Sequence, residues 1–278
     1  MLAELRALGF HSIVWATEYV NSSNDEEQQV GMPPYASRDL FEAFNDAGYL
    51  VGTRSGAPLQ LPWGRGFGAF VDFTDEQASA AFKGLIEPIL AMGVRGFKLD
   101  FCESMRADLL GISHNDIPLF SDGSHADVQH TRYARLFHQV MIDALREKHP
   151  DDWFVIARTG GIFDQANGVA LWPGDLDNDL QESGVADEDG VLSVGGLPAA
   201  VSGALSASLS GYPLFGSDIG GYLGGPPTTE VLLRWAQFGA LSTVMQLGGG
   251  GTGDATHNPW DDRYDTDLSI PVYRKHAR

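Results

Sequence analysis

The sequence has a single cysteine and few cationic residues. Cys102 has no second cysteine to pair with, so no disulfide can form within the chain, and the redox compartment stays open. Lysine and arginine number 18 against 37 aspartates and glutamates, which gives a formal net charge of -19 over 278 residues. Nucleic acids and anionic membranes would repel this charge. We therefore expect a small neutral or cationic partner, with no nucleic acid and no membrane.

A long apolar run and a signal peptide are also lacking. The longest uncharged stretch, Val191 to Ser217, is rich in Gly, Ser and Ala and contains Pro198 and Pro213. This composition favours a small-residue helix packed on a sheet over a membrane span. The N-terminal residues have the pattern of a short amphipathic helix that ends at Gly9, and no cleavage site comes after it. We therefore expect no signal peptide in this chain.

Several motifs for cofactor or metal chemistry are incomplete. The glycines of segment 248–253 have dinucleotide spacing, but no helix is predicted after them. Asp175, Asp177 and Asp179 resemble the start of a calcium loop, yet Leu180 occupies the position that requires glycine. No Gly-x-Ser-x-Gly elbow is present. We expect no cofactor and no metal site.

Predicted strands alternate with predicted helices along the chain. The main strands lie near residues 13, 98, 155, 170, 214 and 245, and polar residues come after nearly every one. This order predicts a parallel sheet with helical crossovers and one pocket at the carboxyl ends of the strands. A (β/α)8 TIM barrel is the favoured fold class. A doubly wound open sheet stays open as the alternative, because a closed barrel needs about eight strands.

Two local predictions concern the first third of the chain. Segment 52–68 has the Gly, Pro and aromatic content of an ordered loop, which would present Arg54, Trp63 and Arg65 to a ligand. Thr74, with Gln77 three residues later, has the pattern of a capping box. We therefore expect Thr74 to cap the helix that precedes the central strand.

The central strand, Gly96 to Glu103, ends in acidic residues. Alternation along a strand would place Lys98 and Asp100 on one face and Phe97, Leu99 and Phe101 on the other. A structural ion pair would explain Lys98 and Asp100 equally well. A second acidic strand end, Asp175 after Trp172 and Pro173, favours a catalytic interpretation of the two aspartates.

Asp100 and Asp175 are predicted at the ends of two strands separated by one intervening strand, and such a pair of carboxylates is what cleavage of a glycosidic bond requires. One ionised carboxylate attacks or stabilises the anomeric carbon, and one protonated acid releases the leaving group. Lys98 would keep Asp100 ionised. Trp172 and Pro173 would desolvate Asp175 and raise its pKa, which suits the acid role.

Four motifs together resemble glycoside hydrolase family 31, the retaining α-glucosidases, α-xylosidases and their relatives. Segment 96–103, Gly-Phe-Lys-Leu-Asp-Phe-Cys-Glu, looks like the nucleophile strand of that family. Arg158-Thr-Gly-Gly with the later Trp172-Pro-Gly-Asp is similar to its acid/base segment. Segment 211–222 resembles its Asp-Ile-Gly-Gly strand, and segment 230–245 matches the family stretch after that strand. Val71-Asp-Phe-Thr is similar to a further landmark, so the resemblance covers nearly the whole chain in order.

The resemblance implies a role for each matching residue. Asp100 would be the nucleophile and Asp175 the general acid/base of a double displacement that retains the α configuration. Arg158 would hold the substrate or the acid/base carboxylate, and Asp218 would support the pocket. A mutual ion pair of Arg158 and Asp218 is the alternative. The predicted substrate-binding residues are Trp15, Trp63, Lys98, Phe101, Arg158, Trp172, Asp218 and Gln246, although aromatic residues at strand ends belong to a core about as often.

Two departures from the family pattern limit what the resemblance implies. Met245-Gln246-Leu247 stands where the family usually has a histidine that contacts a sugar hydroxyl, so glucose specificity is open. The resemblance also implies that about strands 3 to 8 of the barrel are present. We expect residues 1–278 to form one partial catalytic domain with no second domain, and with little activity alone. An α-galactosidase-like hydrolase and an inactive carbohydrate-binding protein remain alternatives, and the oligomeric state is open.

Overall fold

The computed structural model describes residues 1–24, 36–63, 66–103, 117–186, 190, 192–247 and 257–276. The chain divides into two compact units, the first comprising Met1–Val155 and Thr159–Asn167 and the second Ile156–Arg158 and Gly168–Arg278. The strands are β1 (Ile13–Ala16), β2 (Tyr19–Asn24), β3 (Gln60–Trp63), β4 (Gly66–Phe70), β5 (Gly96–Leu99), β6 (Phe154–Ala157), β7 (Ala170–Leu171), β8 (Gly216–Asp218) and β9 (Val244–Gln246). The helices are α1 (Leu2–Ala7), α2 (Ala36–Asp46), α3 (Glu76–Ala91), α4 (Ala126–Lys148), α5 (Leu197–Leu209), α6 (Thr229–Gly239) and α7 (Thr266–His276), with a 3₁₀ turn at Asp164–Asn167.

Parallel strands form the centre of the first unit. β1 pairs with β5 in a parallel register that runs from Ile13 opposite Gly96 to Ala16 opposite Leu99. β6 begins beside β5, where the N–H of Phe154 donates to the carbonyl of Arg95. Aromatic rings from the end of β4, the segment between β4 and α3, helix α3 and helix α4 form one cluster of edge-to-face, tilted and stacked pairs. The cluster consists of Phe70, Phe73, Phe82, Tyr133 and Phe137.

A three-stranded antiparallel sheet in the first unit contradicts the loop prediction for segment 52–68. The strand order is β2-β4-β3, and Trp63 of β3 pairs with Gly66 of β4. Pro62 lies on β3, an edge strand, where a residue without an N–H interrupts no interior ladder. The glycine and proline content that indicated a loop therefore belongs to a short hairpin.

The capping prediction for α3 was displaced by one residue. Asp75, not Thr74, is the N-cap, because its side chain accepts hydrogen bonds from the N–H groups of Gln77 and Ala78. The hydroxyl of Thr74 donates instead to Oδ1 of Asp72. The buried carboxylate of Asp72 thus removes Thr74 from the capping role.

The second unit contains two further parallel pairs. Ile156 and Ala157, the last residues of β6, pair with Ala170 and Leu171 of β7. β8 pairs with β9, from Gly216 opposite Val244 to Asp218 opposite Gln246. The strand predicted near residue 214 begins at Gly216, so Asp218 belongs to the strand itself. The core of this unit packs around α6 and contains Leu176, Ile219, Leu232, Trp235, Tyr264 and Tyr273.

The predicted strands pair in parallel, β1 with β5, β6 with β7 and β8 with β9, as the sequence predicts. The antiparallel sheet of β2, β3 and β4 was not predicted. Strand β6 contains residue 155, as predicted, and helix α5 lies within the small-residue stretch Val191 to Ser217, for which a helix was predicted. Within the described residues, no helix combines the length and the apolar character needed to cross a membrane. A single catalytic domain over residues 1–278 stays a prediction.

Candidate active site

The carboxylate of Asp100 lies directly after β5 in the first unit. The residue is 8% exposed. The indole Nε1–H of Trp15 donates to its Oδ2 over 2.9 Å, and the N–H of Phe101 donates to its Oδ1 over 2.9 Å. Trp15 lies opposite Lys98 in the β1–β5 register and is 54% exposed, so one face of its ring is open to solvent. Asp100 is therefore a held carboxylate beside an accessible aromatic surface.

Alternation holds along β5 but ends before Phe101. Phe97 and Leu99 are buried and Lys98 is half-buried, as predicted for a strand with one core face. Phe101 does not continue this pattern, because β5 ends at Leu99 and Phe101 has a φ of 65°. Its ring contacts Tyr19 edge-on at a centroid distance of 6.3 Å. Its role in substrate binding stays a prediction.

Sequence reasoning missed Glu18, which lies beside this turn. Glu18 is fully buried, and its Oε1 accepts a 3.0 Å hydrogen bond from the N–H of Cys102. Burial raises the pKa of Glu18 from 4.5 to about 8, and burial raises the pKa of the Cys102 thiol well above its usual value. The one available signal was position, since Glu18 comes after β1 at the strand end that also positions Asp100. Glu18 is therefore mainly a neutral carboxylic acid near pH 7.

Asp175 in the second unit is paired with Arg158. Nη1 of Arg158 lies 3.7 Å from Oδ2 of Asp175, and the two side chains are 24% and 31% exposed. Gly174 makes this approach possible, because a Cβ at that position would lie 3.0 Å from Nε of Arg158. Gly174 also has a φ of 79°, which side chains disfavour. Arg158 thus forms an ion pair with the acid/base candidate.

The residues around Asp175 are fixed by backbone and side-chain hydrogen bonds. Trp172 is 1% exposed, and its N–H donates to the carbonyl of Ala157. A buried Trp172 suits desolvation of Asp175 better than stacking against a sugar. Asp177 accepts a 2.6 Å hydrogen bond from Oγ of Ser193. Among the described residues, no group of three or more His, Cys, Asp or Glu side chains could hold a metal ion.

Asp218 and Gln246 lie side by side at the ends of β8 and β9. They are register partners, and the N–H of Ile219 donates to the carbonyl of Gln246 over 3.0 Å. Asp218 is 7% exposed and Gln246 is half-buried. The segments after β7 and β8 also touch, since the N–H of Tyr222 donates to the carbonyl of Leu176. Asp218 and Gln246 therefore lie next to each other at the carboxyl ends of two paired strands in the second unit.

Some predicted ligand-contacting elements fall partly or wholly outside the described residues. They are the side chain of Trp63 and the whole of residue Arg65. The predicted site residues that the structure does describe form two groups. Trp15, Lys98, Asp100 and Phe101 meet in the first unit, and Arg158, Trp172, Asp175, Asp218 and Gln246 lie in the second.

Comparisons with known proteins show the family to which the chain belongs. The family model described as the glycosyl hydrolases family 31 TIM-barrel domain matches residues 1–270. The chain is 29% identical over 237 residues to alpha-xylosidase XylQ of Lactiplantibacillus pentosus, which is 84% of this chain and 28% of the relative. It is 30% identical over 220 residues to a sulfoquinovosidase of Escherichia coli K12, which is 77% of this chain and 30% of the relative.

A solved structure shares the fold. A family 31 sulfoquinovosidase from E. rectale in complex with an aza-sugar inhibitor superposes with a TM-score of 0.76 at 23% identity, covering 99% of this chain and 36% of that one. The chain thus spans about a third or less of the length of these relatives. The family match covers nearly every residue, including both acidic strand ends, and the chain therefore belongs to glycoside hydrolase family 31 as part of its TIM-barrel domain.

Proposed function

We propose that this chain contains the catalytic carboxylates of a retaining α-glycoside hydrolase, with Asp100 as the nucleophile and Asp175 as the general acid/base. The observation that carries this proposal is the set of hydrogen bonds that hold the carboxylate of Asp100. Its two oxygens accept hydrogen bonds from the Trp15 indole and the Phe101 N–H, beside a half-exposed ring. Donors to both oxygens fix the orientation of the carboxylate that a nucleophile requires.

The second carboxylate has the neighbour that an acid/base residue needs. In a retaining mechanism the acid protonates the leaving oxygen, and the resulting carboxylate then removes a proton from water. The guanidinium of Arg158 at 3.7 Å stabilises that ionised form. The partial exposure of both side chains leaves room for a leaving group and for water.

The named relatives support an α-xyloside or a sulfoquinovoside as the substrate. One curated relative is an alpha-xylosidase and another is a sulfoquinovosidase. We propose an α-linked carbohydrate substrate of the α-glucosidase or α-xylosidase type. Gln246, an amide that stands beside Asp218, is the side chain we expect to discriminate among sugar hydroxyls.

Azide rescue tests both catalytic assignments in the protein expressed at its full natural length. Aryl α-glucoside, α-xyloside, α-galactoside and sulfoquinovoside are assayed first to find the substrate. Asp100→Ala should then abolish turnover, and azide should restore it with a β-glycosyl azide as product. Asp175→Ala should retain activity on activated aryl leaving groups, with azide giving the α-glycosyl azide.

A matched control separates these effects from loss of fold. Asp127 on α4 has an 89% exposed side chain, so Asp127→Ala should keep wild-type turnover. Absence of turnover with all four sugars would contradict the proposed activity. A wild-type rate in Asp100→Ala, or an azide product of the other configuration, would contradict the assignment of the nucleophile.

A further inference from the structure

The backbone immediately after Asp100 is held in an unusual conformation. Phe101 and Cys102 have φ values of 65° and 74°, and neither is glycine. A left-handed conformation brings Cβ close to the next carbonyl, so two such residues in succession cost free energy that the surroundings must offset. The orientation of the Asp100 side chain depends on this turn, because the turn directly follows Asp100 in the chain.

Hydrogen bonds from two other parts of the first unit fix the turn. The Oε1 of Glu18, next to β1, accepts the N–H of Cys102 over 3.0 Å. The Oγ1 of Thr159 lies 2.6 Å from the carbonyl oxygen of Phe101 and 3.1 Å from Oε2 of Glu103. Glu18 thus accepts the hydrogen bond from the N–H of Cys102. Thr159 donates a hydrogen bond to the carbonyl of Phe101.

We propose that Glu18 is a positioning residue for Asp100, which holds Cys102 in its left-handed conformation and thereby fixes the backbone from which the carboxylate of Asp100 projects. This rests on the proposed role of Asp100 as nucleophile. Glu18 touches neither the carboxylate nor a substrate in this assignment. It acts through the peptide of Cys102.

The burial of Glu18 argues against a packing role alone. The side chain is 0% exposed, and within the described part of the chain its Oε2 has no hydrogen-bond partner. A buried carboxyl with one unpaired oxygen is less favourable than a hydrocarbon of the same size. The contacts that a hydrocarbon could not provide are the hydrogen bonds to the N–H and the thiol of Cys102. The neutral form expected for this carboxyl also makes glutamine a close structural match.

The only cysteine of the sequence reports directly on this turn. Cys102 is 1% exposed, so an aromatic disulfide reagent can label its thiol only when the turn opens. Glu18→Met keeps the side-chain length and removes the acceptor, whereas Glu18→Gln keeps the acceptor. Glu87, exposed on α3, provides the matched control Glu87→Met.

Under native conditions we expect Glu18→Met to label about tenfold faster than wild type, because loss of one buried hydrogen bond favours opening. Glu18→Gln and Glu87→Met should label at about the wild-type rate. In aryl α-glycoside hydrolysis, kcat of Glu18→Met should fall by about tenfold with a smaller change in KM, and Glu18→Gln should restore it.

A second variant connects the effect to the left-handed residue. Glycine adopts this conformation without strain, so Cys102→Gly should reduce the loss of kcat that Glu18→Met causes. Wild-type labelling and kcat in Glu18→Met would overturn the proposal, as would an undiminished loss in the double variant. A wild-type protein that hydrolyses no glycoside would refute the proposed function and the positioning role together, while faster labelling of Glu18→Met would still show that Glu18 holds the turn.

Discussion

The indole Nε1–H of Trp15 donates a 2.9 Å hydrogen bond to Oδ2 of Asp100. The bond joins neighbouring parallel strands, since Trp15 is the register partner of Lys98 and its ring extends toward the residue directly after β5. An aromatic side chain at one strand end thus orients the carboxylate at the next. The same ring is half-exposed, so a single residue both holds the proposed nucleophile and offers a surface to a sugar.

Trp15→Phe tests the first of these two roles. Phenylalanine keeps an aromatic surface and loses the donor to Asp100. Loss of a hydrogen bond to a charged group should lower kcat/KM by about tenfold. Steady-state kinetics on the best aryl α-glycoside measures the effect, with Trp260→Phe as the control because Trp260 is 64% exposed. An unchanged kcat/KM in Trp15→Phe would show that the indole donor is dispensable.

Arg158→Met should change how the reaction depends on pH. If Asp175 must be protonated to release the leaving group, its ionisation sets the alkaline limb of the kcat/KM profile. Removing the cation at 3.7 Å disfavours the ionised form, so this limb should move to higher pH by roughly half a unit, a modest shift because both side chains are partly exposed. Arg158→Lys keeps the charge and should move the limb less. An alkaline limb that does not move in Arg158→Met would show that the ion pair with Asp175 does not influence the ionisation that limits kcat/KM.

Gly96, the first residue of β5, has no room for a side chain. A Cβ there would lie 1.9 Å from the carbonyl oxygen of Phe154 and 2.8 Å from Cγ2 of Ile13. Gly96→Ala should therefore lower the free energy of unfolding by about 3 kcal/mol, since backbone must move to admit the methyl group. Gly84, exposed on α3 with nothing within 4 Å, is the control, and Gly84→Ala should raise the same quantity by about 0.5–1 kcal/mol. Urea unfolding monitored by circular dichroism compares them, and equal effects would contradict the steric argument.

Much of the fold could be predicted because its signals are local and periodic. Buried residues recur at helical spacing along α4. On β5, the buried residues Phe97 and Leu99 recur at strand spacing. The β3–β4 hairpin could not be predicted in this way, because Pro62 on an edge strand and glycines in its neighbour have the composition of a loop. Which strand is at an edge is decided by the assembled sheet.

The candidate site likewise contains residues that the sequence indicates and residues that it does not. Asp100 and Asp175 come after apolar strands and stand within recognisable motifs, so the sequence indicates both. Glu18 is one acidic residue after a short strand, and no periodicity marks it. Its hydrogen-bond partner, the N–H of Cys102, lies 84 positions away in the sequence. The left-handed turn after Asp100 could not be predicted either, because Phe101 and Cys102 lack the glycine that usually marks such a turn.

Glu18 should also make stability depend on pH. In the folded chain its pKa is raised from 4.5 to about 8 by burial, so the folded state keeps a proton that the unfolded state releases. The free energy of unfolding contributed by this group therefore falls as pH rises from about 5 to about 8. Glutamine has no proton to lose, so Glu18→Gln should remove this contribution.

We therefore expect the loss of stability between about pH 5 and about pH 8 to be larger in wild type than in Glu18→Gln by about 3–4 kcal/mol. Urea unfolding at several pH values measures it, and the neighbouring titratable groups Cys102 and Glu103 are present in both proteins, so their contributions largely cancel. Glu87→Gln, at an exposed position on α3, should keep the wild-type dependence. Parallel pH dependences in wild type and Glu18→Gln would mean that Glu18 is ionised in the folded chain, and that its oxygen accepts the Cys102 N–H as a carboxylate.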